Sequence, residues 1–316
     1  MSDGAAAWRA LLGLAAGPLL LMAATALLIP HVDAYWRLLR ETSPASPYYA
    51  ETTVHYAGSP EVVVFGSSVA NRDVDERILS RALDAEVINL GVPGIHAAGS
   101  AMWVPDIVAL APSLAVLVVG PSALARDEVV WLERWQPGVA WECFGPAGLA
   151  ADPEPHLEGL VGWLHPLQRH REGFYKRALL GRPNTKHPRD KPTIPPNHMA
   201  LQLEGVAGQL AGRTMDGTGP NVRAVHAMQR RFDAAGVRFL IAHAPTHPGL
   251  GFDVAVAPTV EVLTQLEEAG VDVLRARALG RYPPRVFADP LHLDHDGQRQ
   301  FTEALAAAIQ ARLGAR

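Results

Sequence analysis

The chain of 316 residues is long enough to bury a substantial core, as one large domain with additions. Its formal net charge of −4 and pI near 6.3 argue against a protein that holds nucleic acid through a broad basic field, and no nucleic-acid motif stands in it. The single cysteine, Cys143, excludes an internal disulfide framework and reads as a buried or idle thiol.

The first element is apolar. Leu11 to Ile29 are 19 residues without a charge, and at about 1.5 Å per residue such a helix nearly spans a ~30 Å hydrocarbon core. Residues 1–32 are therefore expected to anchor the chain in a membrane, with a signal peptide cleaved near Val32-Asp-Ala34 as the alternative. Arg9 precedes the run and Arg37 and Arg40 come after it, so the charge count alone would keep the rest of the chain in the cytoplasm. Residues 33–60, with Ser43-Pro-Ala-Ser-Pro47, read as a linker.

From residue 61 strand and helix signals alternate. Val62–Phe65 is an apolar run of strand length, Asp73–Leu83 has helical spacing, and Val87–Leu90 is a second strand. Ala101–Ala111 reads as a helix interrupted near Pro105, Leu114–Val119 as a deeply buried strand, and Asn221–Ala235 as a helix ended by Gly236. A strand at Val237–Ala242, a helix at Thr259–Ala269, a strand at Val271–Leu274 and a terminal helix at Asp296–Leu313 complete the series. Five strands alternating with five helices predict an α/β fold, a flavodoxin-like doubly wound parallel sheet covered on both faces, over residues 61–316. One stretch departs from the alternation. Residues 126–213 carry Trp131, Trp135, Trp141, Trp163 and all three lysines, Lys176, Lys186 and Lys191, and read as an insertion after the third strand. It is either a solvated cap or a lid over anionic glycan or lipid head groups.

Sheets of this kind bind ligands beyond the carboxyl ends of their strands. Ser67-Ser68, Gly91–Gly94, Gly120-Pro-Ser122 and His243–His247 each come directly after a predicted strand and should share one rim, to which the loop holding Asp289 and His292 can return. A serine hydroxyl attacks an ester only when an imidazole takes its proton and a third group orients that imidazole. Gly66-Ser67-Ser68 and Asp289-Pro-Leu-His292 supply these residue types, with Ser67 and Ser68 as competing nucleophiles. Each motif alone is more often a turn or a helix cap. His243 and His247 are expected at the rim as substrate-contact residues; as a metal pair they lack a third partner nearby.

Together Gly66-Ser67-Ser68, Asn89-Leu-Gly-Val-Pro-Gly94 and Asp289-Pro-Leu-His292-Leu-Asp-His-Asp-Gly297, in this order, resemble the SGNH (GDSL-like) hydrolase superfamily over the core from about Glu61 to the end. The resemblance implies Ser68 as nucleophile, His292 as general base and Asp289 as its orienting partner. It implies an oxyanion hole from the N–H groups of Ser68 and Gly94, with Ser122 where the family usually has asparagine. It implies no cofactor and no metal. The anchor-plus-domain layout resembles envelope acyl-transfer proteins, which places the catalytic domain outside the cytoplasmic membrane. Expected partners are an acylated carbohydrate or related ester, the membrane, and a membrane acyltransferase. Two rival readings are a non-catalytic scaffold with this fold and a zinc hydrolase, since Leu291–Gly297 also resembles half of a His-x-His-x-Asp-His motif that would need histidine in place of Pro290.

Overall fold

The computed structural model describes residues 22–40, 47–125, 134–165, 196–213, 217–251 and 257–314, together with Ala16, Leu20 and His170. Five strands, β1 (Val62–Gly66), β2 (Val87–Gly91), β3 (Leu114–Val119), β4 (Arg238–His243) and β5 (Val273–Leu274), form one parallel sheet in the order β2-β1-β3-β4-β5. This is the doubly wound order expected from the alternation. β1 and β3 are buried along their whole lengths, which is why they read as unbroken aliphatic runs.

Alternate residues feed two cores. Val63, Phe65, Leu117, Phe239 and Ile241 face one layer of helices: α5 (Ala97–Ala101), α6 (Val104–Ala109), α7 (Pro137–Ala151), α10 (Pro220–Ala234) and α11 (Ala257–Glu268). Val62, Val64, Val116 and Leu240 face the other: α3 (Ser68–Asp73), α4 (Glu76–Leu83) and α12 (His295–Gly314). Phe65, Phe232 and Phe239 centre the first core, and Leu79 and Phe301 the second.

Several boundaries differ from expectation. The helix predicted over Asp73–Leu83 begins only at Glu76: Asp73 closes α3, and the Asp75 carboxylate accepts the N–H groups of Arg77 (2.9 Å) and Ile78 (3.2 Å) to start α4. Of the helix predicted over Ala101–Ala111, Ala101 closes α5 and Val104–Ala109 form α6. Pro105 does not break it but stands in the first turn of α6, where a missing N–H costs nothing. β5 is short because the Val271 N–H turns back to Leu266 O (2.9 Å) to close α11.

The stretch read as a linker contains α1 (Asp33–Arg40) and α2 (Pro47–Tyr56), with Glu51 and Thr52 buried. Among the described residues no helix is long and apolar enough to cross a membrane; much of the Leu11–Ile29 run lies outside them. Within the insertion, α7, α8 (Pro153–Leu164) and α9 (Pro196–Ala211) are helical. Trp135 is buried and donates to His156 Nδ1, while Trp141 and Trp163 are exposed. Trp131 and the three lysines lie outside the described residues. Cys143 sits in the first core, where burial pushes its thiol up to about 12 and keeps it protonated.

Candidate active site

The site begins where β1 ends. Gly66 adopts φ +134°, and a Cβ there would lie 2.4 Å from Val118 O on the neighbouring strand, so the chain turns out of the sheet only with glycine at this point. Ser67 takes the N-cap position of α3, without a side-chain capping bond, and Ser68 opens the helix. His292 Nε2 lies 2.8 Å from Ser68 Oγ, so of the two serines it is Ser68 that meets the imidazole. His292 Nδ1 lies 2.8 Å from each carboxylate oxygen of Asp289. An ionised carboxylate only accepts, so Nδ1 carries the proton and Nε2 is left to accept from the Ser68 hydroxyl.

The carboxylate is held from several sides. Asp289 Oδ1 accepts the N–H groups of Leu291 and His292, both at 2.9 Å, which folds the Asp289–His292 turn around its own side chain. Arg72, one helical turn after Ser68, places Nη1 3.3 Å from Asp289 Oδ2. It is also 3.3 Å from His292 Nδ1, but with a proton already there the guanidinium donates to the carboxylate. Burial pushes the Asp289 carboxyl up; the hydrogen bond and charge of His292, the Leu291 N–H and Arg72 outweigh it and hold the group below the usual aspartate value.

The helix that carries Ser68 and the loop that carries His292 are bolted together. Asp73 Oδ1 accepts the Leu293 N–H (3.0 Å), and Gln298 on α12 donates to Arg72 O (2.8 Å). The register between Ser68 and His292 is thus fixed by bonds on both sides of the pair.

Two more loops complete the rim. Asn89 donates to Ala70 O (2.7 Å) and Val74 O (3.1 Å), tying β2 to α3, and accepts the Gly91 N–H (2.9 Å). Gly94 comes next at φ +84° with open space beside its Cα, so backbone conformation rather than crowding demands glycine. Buried Asn221 on α10 accepts the Ala98 N–H (2.8 Å) and donates to Ala125 O. It thereby ties the loops after β2 and β3 to each other, as does the Ala97 N–H to Ala123 O (3.0 Å). The result is a cleft of about 270 Å³ at the carboxyl ends of β1, β2 and β3, where Ser67, Ser68, Gly94 and Ser122 meet.

His243 and His247, expected at this rim as substrate contacts, do not line the cleft. His243 ends β4 paired with Val119 and is buried; burial first, then the nearby Arg275 charge, lowers its pKa to about 4. The His247 ring is turned inward, accepting the Gly249 N–H (3.0 Å) and packing edge-on against Phe287. Their place after a strand puts them near the rim in sequence, but the side chains close loops instead. Asp294, in the segment that resembles half a zinc motif, accepts the Gly297 N–H (2.8 Å) at the start of α12. Among the described residues no three His, Cys, Asp or Glu side chains converge as a metal site.

Sequence reasoning assigns no role to Arg72, Asn221, His96 or Arg213; the last two line the cleft. Arg72 carries a signal in its spacing of four from Ser68. Arg213 carries none, since it reaches the cleft from the far end of the insertion.

No family model matches the chain, and no curated protein matches it in sequence. Solved structures are similar in fold. A GDSL-like lipase from Bacteroides thetaiotaomicron shares 11% identity at a TM-score of 0.40, over 85% of this chain and 100% of that one. A carbohydrate acetylesterase family member from Sinorhizobium meliloti shares 15% at 0.36, over 80% and 99%. A salicylyl-acyltransferase from a tetracycline biosynthetic pathway shares 12% at 0.35, over 82% of this chain and 56% of that one. At TM-scores below 0.5 these likenesses assign no chemistry, which rests on the site's own geometry.

Proposed function

We propose that the chain is an SGNH-type serine esterase or O-acyltransferase. The observation that carries this reading is His292, hydrogen-bonded at 2.8 Å to Asp289 on one side and, on the other, to Ser68, which lines a cleft. Ser68 Oγ attacks the acyl carbonyl while its proton passes to His292 Nε2; the imidazolium, held by Asp289, then protonates the departing alcohol oxygen. Water or an acceptor hydroxyl, deprotonated by His292, releases the acyl group from Ser68. The N–H groups of Ser68 and Gly94 and the hydroxyl of Ser122 stabilise the oxyanion. The substrate is an O-acylated carbohydrate or related ester.

The apolar run Leu11–Ile29 serves as a membrane anchor in this reading, with the catalytic domain outside the cytoplasmic membrane, beside a membrane acyltransferase that supplies the acyl group. The exposure of Leu20, Met22, Leu27 and Leu28 supports an apolar environment for this segment. The chemical step is tested by p-nitrophenyl acetate hydrolysis and fluorophosphonate labelling of wild type, Ser68→Ala, Ser67→Ala and His292→Ala. Loss of labelling in Ser68→Ala alone among the serine variants is expected; equal labelling of wild type and Ser68→Ala would sink the proposal.

A further inference from the structure

An aspartate side chain has a broad, roughly twofold preference at χ2, so its own rotamer does not decide which way the plane of the Asp289 carboxylate faces. Contacts must. The N–H groups of Leu291 and His292 hold Oδ1 at 2.9 Å and make that oxygen a pivot. His292 Nδ1 meets both oxygens at 2.8 Å but is itself the group to be oriented, so Oδ2 needs a hold from outside the turn. Arg72 reaches it from α3, with Nη1 at 3.3 Å.

The position of Arg72 suits this contact. It stands four residues after Ser68, so the two side chains share a face of α3, and the imidazole spans one helical turn with Nε2 at Ser68 and Nδ1 beside Arg72. Its carbonyl accepts from Gln298 (2.8 Å), and Asp73 Oδ1 accepts the Leu293 N–H (3.0 Å), so the backbone that carries the guanidinium is tied to the segment that carries the carboxylate. Its Nε is buried, which encloses the side chain up to the guanidinium. The Asp289 and His292 side chains are only 19% and 12% exposed, so water competes less for a charge-assisted bond there.

Geometry decides against two other roles for this cation. Nδ1 and Nη1 are both donors and cannot bond one another, so Arg72 meets His292 through the carboxylate they share. Arg72 lies on the Nδ1 side of the ring, away from Ser68, and is not among the residues that line the cleft, so it touches neither substrate nor oxyanion.

We infer that Arg72 is a positioning residue of the triad: by fixing Oδ2 it sets the plane of the Asp289 carboxylate, and through it the direction in which His292 presents Nε2 to Ser68. Its kinetic consequence rests on the serine-ester reading of the cleft. The helix that carries Ser68 thus also carries the group that aims the imidazole at it.

The test is a double-mutant cycle in the full chain, with p-nitrophenyl acetate as substrate. Arg72→Gln is expected to lower kcat about ten- to hundredfold, the scale of a small misplacement of a reacting group, with KM within about twofold. Arg72→Lys, which keeps the charge without the fork, should retain part of the rate. In an Asp289→Asn background Arg72→Gln should cost less than about threefold, because the carboxylate through which it acts is gone. Equal losses in the two backgrounds, as a purely structural role would give, overturn the inference, and so does an unchanged kcat. A second readout needs no turnover. The low-field proton resonance of His292 Nδ1–H, which faces the carboxylate, should be kept in Arg72→Lys and lost in Arg72→Gln; a resonance unchanged in Arg72→Gln overturns the inference. If wild type cleaves no ester while this resonance still depends on Arg72, the esterase reading falls and the positioning role stands.

Discussion

Among the described residues, two places set a hydroxyl, an imidazole and a carboxylate in line. One is Ser68–His292–Asp289, whose serine lines the cleft. The other is Tyr35–His170–Glu51, where the Tyr35 hydroxyl meets His170 Nδ1 and His170 Nε2 lies 2.5 Å from Glu51 Oε2. The second relay joins α1 and α2 to the insertion and is sealed, with His170 1% and Glu51 3% exposed. Its carboxylate is shared with Arg134 (3.2 Å), which also grips Asp106 and lies over the Trp103 ring. The same hydrogen-bond order is a structural clamp in one place and suits proton transfer in the other. What separates them is an opening onto a cleft and a hydroxyl placed at the turn out of a strand.

The largest expected effect breaks that comparison directly. Ser68→Ala or His292→Ala should lower kcat/KM for an ester by about 10⁴-fold or more. Tyr35→Phe should leave it within about twofold and instead lower stability by about 1–2 kcal/mol, because His170 Nδ1 loses its partner. Rate assays and urea melts on the same three proteins check both halves. A large rate loss in Tyr35→Phe would mean that the sealed relay is coupled to the site.

The clamp itself is probed by Glu51→Gln. This change leaves Arg134 short of one counter-charge and His170 without its carboxylate in a buried setting, and should cost about 3–5 kcal/mol in urea unfolding with kcat retained in the surviving folded protein. Next in size is Ser122→Ala. If its hydroxyl stands in for an amide donor to the oxyanion, kcat should fall about 10²-fold with KM little changed. A rate equal to wild type would remove Ser122 from the oxyanion set.

The difference between the two relays also marks how far a sequence can be read. The triad is legible because its parts lie on punctuation: Gly66-Ser67-Ser68 where an aliphatic run stops, and Asp289 three residues before His292, a spacing that lets one carboxylate bind the turn and the ring together. The sheet is legible for the same reason, since β1 and β3 are covered on both faces and must be apolar throughout. The sealed relay is not, because Tyr35, Glu51 and His170 share no element and no period. They fall in the linker and the insertion, segments whose polar composition suggests solvent until Arg134 and Asp106 are seen to neutralise one another inside. Arg213 is hidden in the same way. His243 and His247 mislead in the other direction: the position after a strand gives the rim, but not whether a side chain faces the cleft or closes the loop beneath it.

His243 sharpens the comparison once more, as an imidazole at the end of a strand that neither relays a proton nor holds an ion. His292 sits against a carboxylate; His243 is buried and feels the Arg275 charge, so its folded pKa is lowered to about 4 from an ordinary 6.5. Below pH 6.5 the unfolded chain therefore binds a proton there that the folded chain refuses. Stability conferred by the neutral ring is complete above that pH, falls as pH drops, and stops falling near pH 4. By pH 5 the loss from this one group is roughly 2 kcal/mol. Asp289 acts in a lower window. Its folded pKa lies below the usual value, so its contribution is complete above about pH 4 and is lost only as the pH falls through the folded value. Urea melts at pH 7 and pH 5 separate the two. His243→Gln should flatten the change between these pH values by roughly 2 kcal/mol, whereas Asp289→Asn should leave that difference as in wild type. An unchanged slope in His243→Gln would show that the His243 ring takes a proton in the folded state.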